Sequence, residues 1–163
     1  MGTKEISFNL HDDEDIYCPC GTNGRPLLDE DIVSTIQVEA NNYKIKDRLN
    51  INFNIKKDST VNEDEFVDAY KNVFSSKKKE KKYEWNRCLI TGLILLCVGI
   101  IVLAFDVFLE SRVPYFWFEF FNVFSWVFCW SGIEVLTVEL IQIQMEINKI
   151  NKLLNANIKF NRN

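Results

Sequence analysis

His11, Cys18 and Cys20, with the acidic run Asp12, Asp13, Glu14 and Asp15 between them, are the residues of this chain that come nearest to metal chemistry. Zinc takes about four ligands in a tetrahedron, and paired cysteines in such sites come with a second pair elsewhere. Of the five cysteines, Cys88, Cys97 and Cys129 fall in apolar segments, where a thiol packs as a small hydrophobe. With no second pair in the polar part of the chain, no metal site is expected unless two chains share one ion. The segment reads instead as an acidic loop, continued by the turn formers Cys18-Pro19-Cys20-Gly21 and Asn23-Gly24-Arg25-Pro26.

Ionisable groups at membrane depth are the second kind of candidate. Asp106, Glu119 and Glu134 lie in or beside long apolar runs, where an unpaired charge is expensive and points to an ion or proton path. All three also lie near the ends of those runs, within reach of water, so an interfacial charge is the simpler reading. Arg112 is the natural partner of Glu119. The third candidate is the basic neck Lys77, Lys78, Lys79, Lys81 and Lys82, which suits anionic lipid at about 1 kcal/mol per cation and also fixes orientation. There is no Gly-rich phosphate loop, nucleophile elbow or His-Glu helix motif, so neither an enzyme nor a cofactor is expected. A net charge of −4 gives no reason to expect nucleic acid.

The elements that carry these residues follow from periodicity. Cys88 to Phe105 holds no charge and, at about 1.5 Å per residue, measures about 27 Å, close to the thickness of a bilayer core. It predicts a transmembrane helix over 88–109, after Tyr83 and Trp85 at headgroup level. A second span is expected over 115–138, where the Phe-rich run outweighs Glu119; a re-entrant or interfacial helix is its competitor. Residues 110–114 leave room only for a turn. Cations flank the outer ends of both spans while Arg112 stands alone in the turn, so a multi-pass cell-membrane protein with both termini in the cytoplasm is expected. Gly92 and Gly99 share a helix face that permits close approach, most simply by the second span.

Residues 1–62 read as a small α+β cytosolic module. Strands are expected near 6–10 and 49–56, where apolar and polar residues alternate, and a helix near 29–43, opening on Asp29, Glu30 and Asp31. Asn62 can cap a further helix, stapled by Val61 and Phe66, and no Pro or Gly interrupts it before Gly92; residues 63–87 are therefore a juxtamembrane helix continuous with the first span. The Phe66, Ala69, Tyr70, Val73 and Phe74 stripe gives it an apolar face. Over 139–163 the chain continues as an amphipathic helix and a terminal strand. Leu140, Ile143, Ile147, Ile150 and Leu154, preceded by Ile133 and Leu136, make a heptad seam that must be covered, by the Phe66–Phe74 stripe or by another chain. The fold class is thus an α+β cytosolic domain on a two-helix transmembrane hairpin whose helices extend into the cytosol as a stalk. No internal repeat or low-complexity tract stands out.

An odd cysteine count and an N-terminus without the apolar core of a signal peptide place residues 1–87 in a reducing cytosol; the myristoylation pattern fails at Ile6. The layout resembles a loosely defined group of uncharacterised bacterial small membrane proteins. The resemblance rests on the strand–helix–strand module, the charged Glu63 to Lys82 helix entering a first span, a second span, and a last helix ending in Lys152-Leu153-Leu154-Asn155-Ala156-Asn157-Ile158. It covers most of the chain, implies no activity and transfers no functional residues; the short, Asn-rich module and Glu119 depart from it, and the inner membrane face is where the module is expected to bind. The expected role is a membrane-anchored interaction or scaffold module, with membrane lipid and either a protein partner or a second copy as partners. The alternatives are a small oligomeric channel or pore-forming effector and, third, a membrane-bound enzyme.

Overall fold

The computed structural model describes residues 2–10, 16, 17, 27–57, 59, 61–109 and 114–162. The elements run β1 (Thr3–Leu10), α1 (Glu30–Asn41), β2 (Arg48–Ile55), α2 (Glu63–Leu109), α3 (Tyr115–Glu134), a π-helical turn (Val135–Glu139), α4 (Leu140–Leu154) and β3 (Asn157–Arg162). This is a mixed α+β chain with a small three-stranded sheet and two helical runs long and apolar enough to cross a membrane, by length and composition. It divides into two compact units, Met1–Glu80 with Ile147–Asn163, and Lys81–Glu146.

The first unit is built on the sheet, ordered β1-β2-β3 with both pairings parallel. Parallel neighbours need a crossover. Helix α1 supplies the first, and the second contains the whole of α2, α3 and α4. Leu49, Ile51, Phe53 and Ile55 of β2 are buried on one face, as alternation requires. On that face Val33, Ile36 and Ala40 of α1 and Phe66, Ala69, Tyr70 and Phe74 of α2 close the core, joined by Ile150 and Leu153 of α4. Phe53 stacks between Phe8 and Phe160 at centroid distances of 5.7 and 5.8 Å, and Phe66 meets Phe53 and Phe160 edge-on.

The strands also hold a repeat that the sequence reading missed. Ile6-Ser7-Phe8-Asn9, Ile51-Asn52-Phe53-Asn54 and Ile158-Lys159-Phe160-Asn161 share the pattern Ile-x-Phe-Asn, and the sheet aligns them so that Ile pairs with Ile, Phe with Phe and Asn with Asn. Four residues recurring at wide and unequal intervals give no period along the chain; only strand pairing makes them a repeat.

Local signals act as chemistry dictates. Asp29 caps α1 by accepting from the Asp31 amide at 2.9 Å, and Asn62 accepts from the Asp64 amide at 3.1 Å at the start of α2. Val61 and Phe66 are both buried, as a hydrophobic staple would place them. At the other end of α1, the Lys152 ammonium donates to the carbonyls of Ala40 and Tyr43 at 3.4 and 3.1 Å, the first of which also accepts from the Tyr43 amide. Burial there lowers the Lys152 pKa.

The heptad seam is not one continuous stripe. Ile147 and Ile150 are buried, but Leu153 is buried more completely than Leu154, and Ile133 is exposed. The π-helical turn separates Ile133 from the seam residues of α4, which share one regular helix. Its i→i+5 bond, from the Leu140 amide to the Val135 carbonyl, admits one extra residue and shifts the inward face, which upstream runs through Ser125 and Gly132.

Candidate functional site

The second unit is a helical hairpin made of the later part of α2, all of α3, the π-helical turn and the first residues of α4. Small residues let its helices approach. A Cβ on Gly99 would lie 2.5 Å from the Cys129 sulfur and 2.8 Å from its backbone nitrogen. A Cβ on Gly132 would lie 2.8 Å from the Leu96 nitrogen, and one on Gly92 would meet the Leu136 side chain at 2.7 Å. The face carrying Gly92 and Gly99 is therefore occupied by the other helix of the same hairpin.

Outside this seam, apolar side chains point away from the protein. Ile94, Ile101 and Phe105 of α2 and Phe116, Val123 and Trp126 of α3 are each at least 57% exposed. Monomeric soluble proteins rarely expose an apolar surface of this kind; where one occurs it marks contact with lipid or with another chain. One open groove along α3 is lined by Asn122, Val123, Trp126, Val127, Trp130 and Ser131.

Polar groups gather at the mouth of the hairpin. The Lys81 ammonium lies 2.8 Å from Glu84 and 2.9 Å from Glu146, pairs that raise its pKa above the usual lysine value. The Cys88 thiol donates to the Glu139 carboxylate at 3.4 Å. Glu84, Arg87, Cys88, Thr91, Val135, Glu139 and Ile143 line a cleft of about 240 Å³ beside the π-helical turn. Thr137 turns its hydroxyl back onto the Ile133 carbonyl at 2.7 Å. Sequence reasoning missed this cleft. Glu84 with Cys88, four apart, and Glu139 with Glu146, seven apart, were its available signals, since each pair shares a helix face.

The expected site residues are dispersed. Asp106 is buried, at 3% exposure, and its Oδ1 has no hydrogen-bond partner among the described residues. Glu119 is half-buried, accepting from the Tyr115 hydroxyl, and Glu134 is exposed. Arg112, the expected partner of Glu119, lies outside the described residues, as do His11, Cys18 and Cys20. Within the lysine neck, Lys77 donates to Gln37 at 2.8 Å, Lys81 is held by its two glutamates, Lys78 is half-buried, and Lys79 and Lys82 are exposed. Of the seam, Ile147 and Ile150 enter the core, Leu154 packs against it, and Leu140 and Ile143 are half-buried. Among the described residues no three His, Cys, Asp or Glu side chains gather as a metal site would need.

No family model, curated protein or solved structure matches this chain.

Proposed function

We propose that the chain is a two-span membrane protein whose hairpin holds the α+β module at the cytoplasmic face, where the module acts as an interaction or scaffold unit. The observation that carries this reading is the contrast between the units. The sheet unit closes its apolar side chains into a core, whereas the hairpin turns large apolar side chains outward along both helices. Lipid is the solvent that suits such a surface, and in lipid a helix satisfies its own backbone. Lys79 and Lys82, exposed beside the apolar run, suit anionic headgroups. The second crossover of the sheet contains the hairpin, so insertion and module folding belong to one topology.

The test is location and sidedness. Cells expressing the full chain with Lys78→Cys or Ser111→Cys are treated with a membrane-impermeant thiol reagent before and after permeabilisation. The expected result is a membrane-bound protein extracted only by detergent, with position 111 labelled from outside and position 78 labelled only after permeabilisation. A polypeptide that stays in solution without detergent, or equal access to both positions, overturns the reading.

A second reading, a small oligomeric channel or pore-forming effector, draws on Asp106, a buried residue whose Oδ1 has no hydrogen-bond partner among the described residues of an apolar hairpin. It predicts ion leakage from vesicles carrying the purified chain, reduced by Asp106→Asn.

A further inference from the structure

The sheet ends on both sides with unpaired edges of a particular kind. Among the described residues no backbone group pairs with the outer side of β1 or of β3. The polar face of the sheet is also open: Glu5, Ser7 and Asn9 on β1 and Asn157, Lys159 and Asn161 on β3 are all exposed. Parallel sheets are ordinarily covered on both faces, and proteins ordinarily shield long edges.

The two edges are complementary to each other. Asn161 donates its side-chain amide to Asn54 at 3.2 Å, and Asn54 donates to Asn9 at 2.8 Å. This three-residue ladder is polar from end to end. Among the described residues it leaves an open amide donor on Asn9 at the β1 edge and an open carbonyl acceptor on Asn161 at the β3 edge. The same Ile-x-Phe-Asn segment stands at both edges, and it already pairs with itself twice inside the sheet in one register. Laying the β1 edge of one copy on the β3 edge of another repeats that register a third time. It sets Ile6 on Ile158, Phe8 on Phe160 and the Asn9 donor on the Asn161 acceptor. Lys159 then faces Ser7, with Glu5 as its diagonal neighbour of opposite charge, a reach that long side chains span. Pairing like edges, β1 with β1 or β3 with β3, would set donor against donor or acceptor against acceptor.

Two other faces that the sequence offered for self-association are already used within the chain. The glycine face packs inside the hairpin, and Ile147, Ile150 and Leu153 of the last helix are buried in the core.

We infer that the module's partner is a second copy of this chain, joined head to tail by parallel strand addition between the β3 edge of one copy and the β1 edge of the next. This names the partner for the interaction role proposed above and rests on that reading. The contact is heterologous, so it continues into a ring or a row unless something stops it.

The experiment uses the full chain in detergent. Copies carrying Ser7→Cys are mixed with copies carrying Lys159→Cys and oxidised with diamide, and peptides joined between positions 7 and 159 are sought by mass spectrometry. Neighbouring strands lie about 4.8 Å apart, within disulfide range, whereas β1 and β3 of one copy are two strand spacings, about 10 Å, apart and cannot be bridged. The expected result is a 7–159 link between chains in the mixture and its absence in either variant alone. Sedimentation gives a second measurement: Ser7→Lys, opposing Lys159, weakens association by up to about fivefold. Ser7→Glu strengthens it, and Ser7→Lys copies mixed with Lys159→Glu copies recover it. A monomer at every concentration, or association without the 7–159 link and indifferent to these charges, overturns the inference. A chain that needs detergent yet stays monomeric leaves the membrane reading standing, whereas one that needs no detergent removes that reading first.

Discussion

The hydroxyl of Tyr70 donates a 3.0 Å hydrogen bond to the carbonyl oxygen of Leu153, tying α2 to the last turn of α4 inside the core of the sheet unit. Burial raises the phenol's pKa and keeps it a donor. The same carbonyl accepts from the Ala156 amide at 3.0 Å, where the chain leaves α4 for β3. The Leu153 carbonyl thus joins α2, the end of α4 and the start of the path into β3.

Tyr70→Phe keeps the ring in place, tilted against Phe74, and removes only this bond. A loss of about 0.5–1.5 kcal/mol in module stability is expected. It is read as a lower unfolding midpoint in denaturant with the slope unchanged, and no loss would show that packing alone holds α4 in position.

The glycines of the hairpin differ in what surrounds them. Gly99→Ala and Gly132→Ala would press a methyl group against backbone atoms at 2.8 Å, which cannot move without parting the helices; Gly92→Ala meets the flexible end of Leu136. The first two should destabilise the hairpin by about 1–3 kcal/mol, and the third by less. Thermal unfolding in detergent, compared across the three variants, provides the ranking.

The Lys81 pairs give a pH signature. Its folded pKa is raised above 10.5 by Glu84 and then Glu146, so its contribution is fully present below about pH 10.5 and is lost as pH rises through the folded value. Lys81→Met should cost about 0.2–1 kcal/mol, because the side chains are partly exposed and screened. The deficit should be equal at pH 6 and pH 9, shrink above pH 10.5, and diminish in high salt.

The two faces of β2 should respond unequally. Phe53→Ala removes the ring at the centre of the aromatic column and should cost about 3–5 kcal/mol, a large share of a small domain's stability. Asn54→Ala breaks two side-chain hydrogen bonds in a water-facing ladder and should cost about 1–2 kcal/mol. Circular dichroism of the two variants separates the effects.

Much of this architecture was legible along the chain, because hydropathy and caps act locally. Alternation marked β2 to within a residue at each end. Asp29 and Asn62 marked the starts of α1 and α2, and the uncharged run from Cys88 marked an apolar helix long enough to span a bilayer. Strand β1 was expected to begin at Ile6 but begins at Thr3, because Thr3, Lys4 and Glu5 are exposed and show no alternation to read.

Tertiary structure decided what depends on partners distant in sequence. The π-helical turn replaced a continuous seam with two faces out of phase, because one extra residue in a turn leaves no mark on apolar spacing. The cleft around Cys88 and Glu139 joins residues 51 apart. Three short Ile-x-Phe-Asn segments became a ladder only when the backbone set them side by side in one register. Hydrophobic periodicity is written residue by residue and survives in the sequence. A strand register or a polar pair across a fold is a property of two positions at once, and the chain must close on itself before it exists.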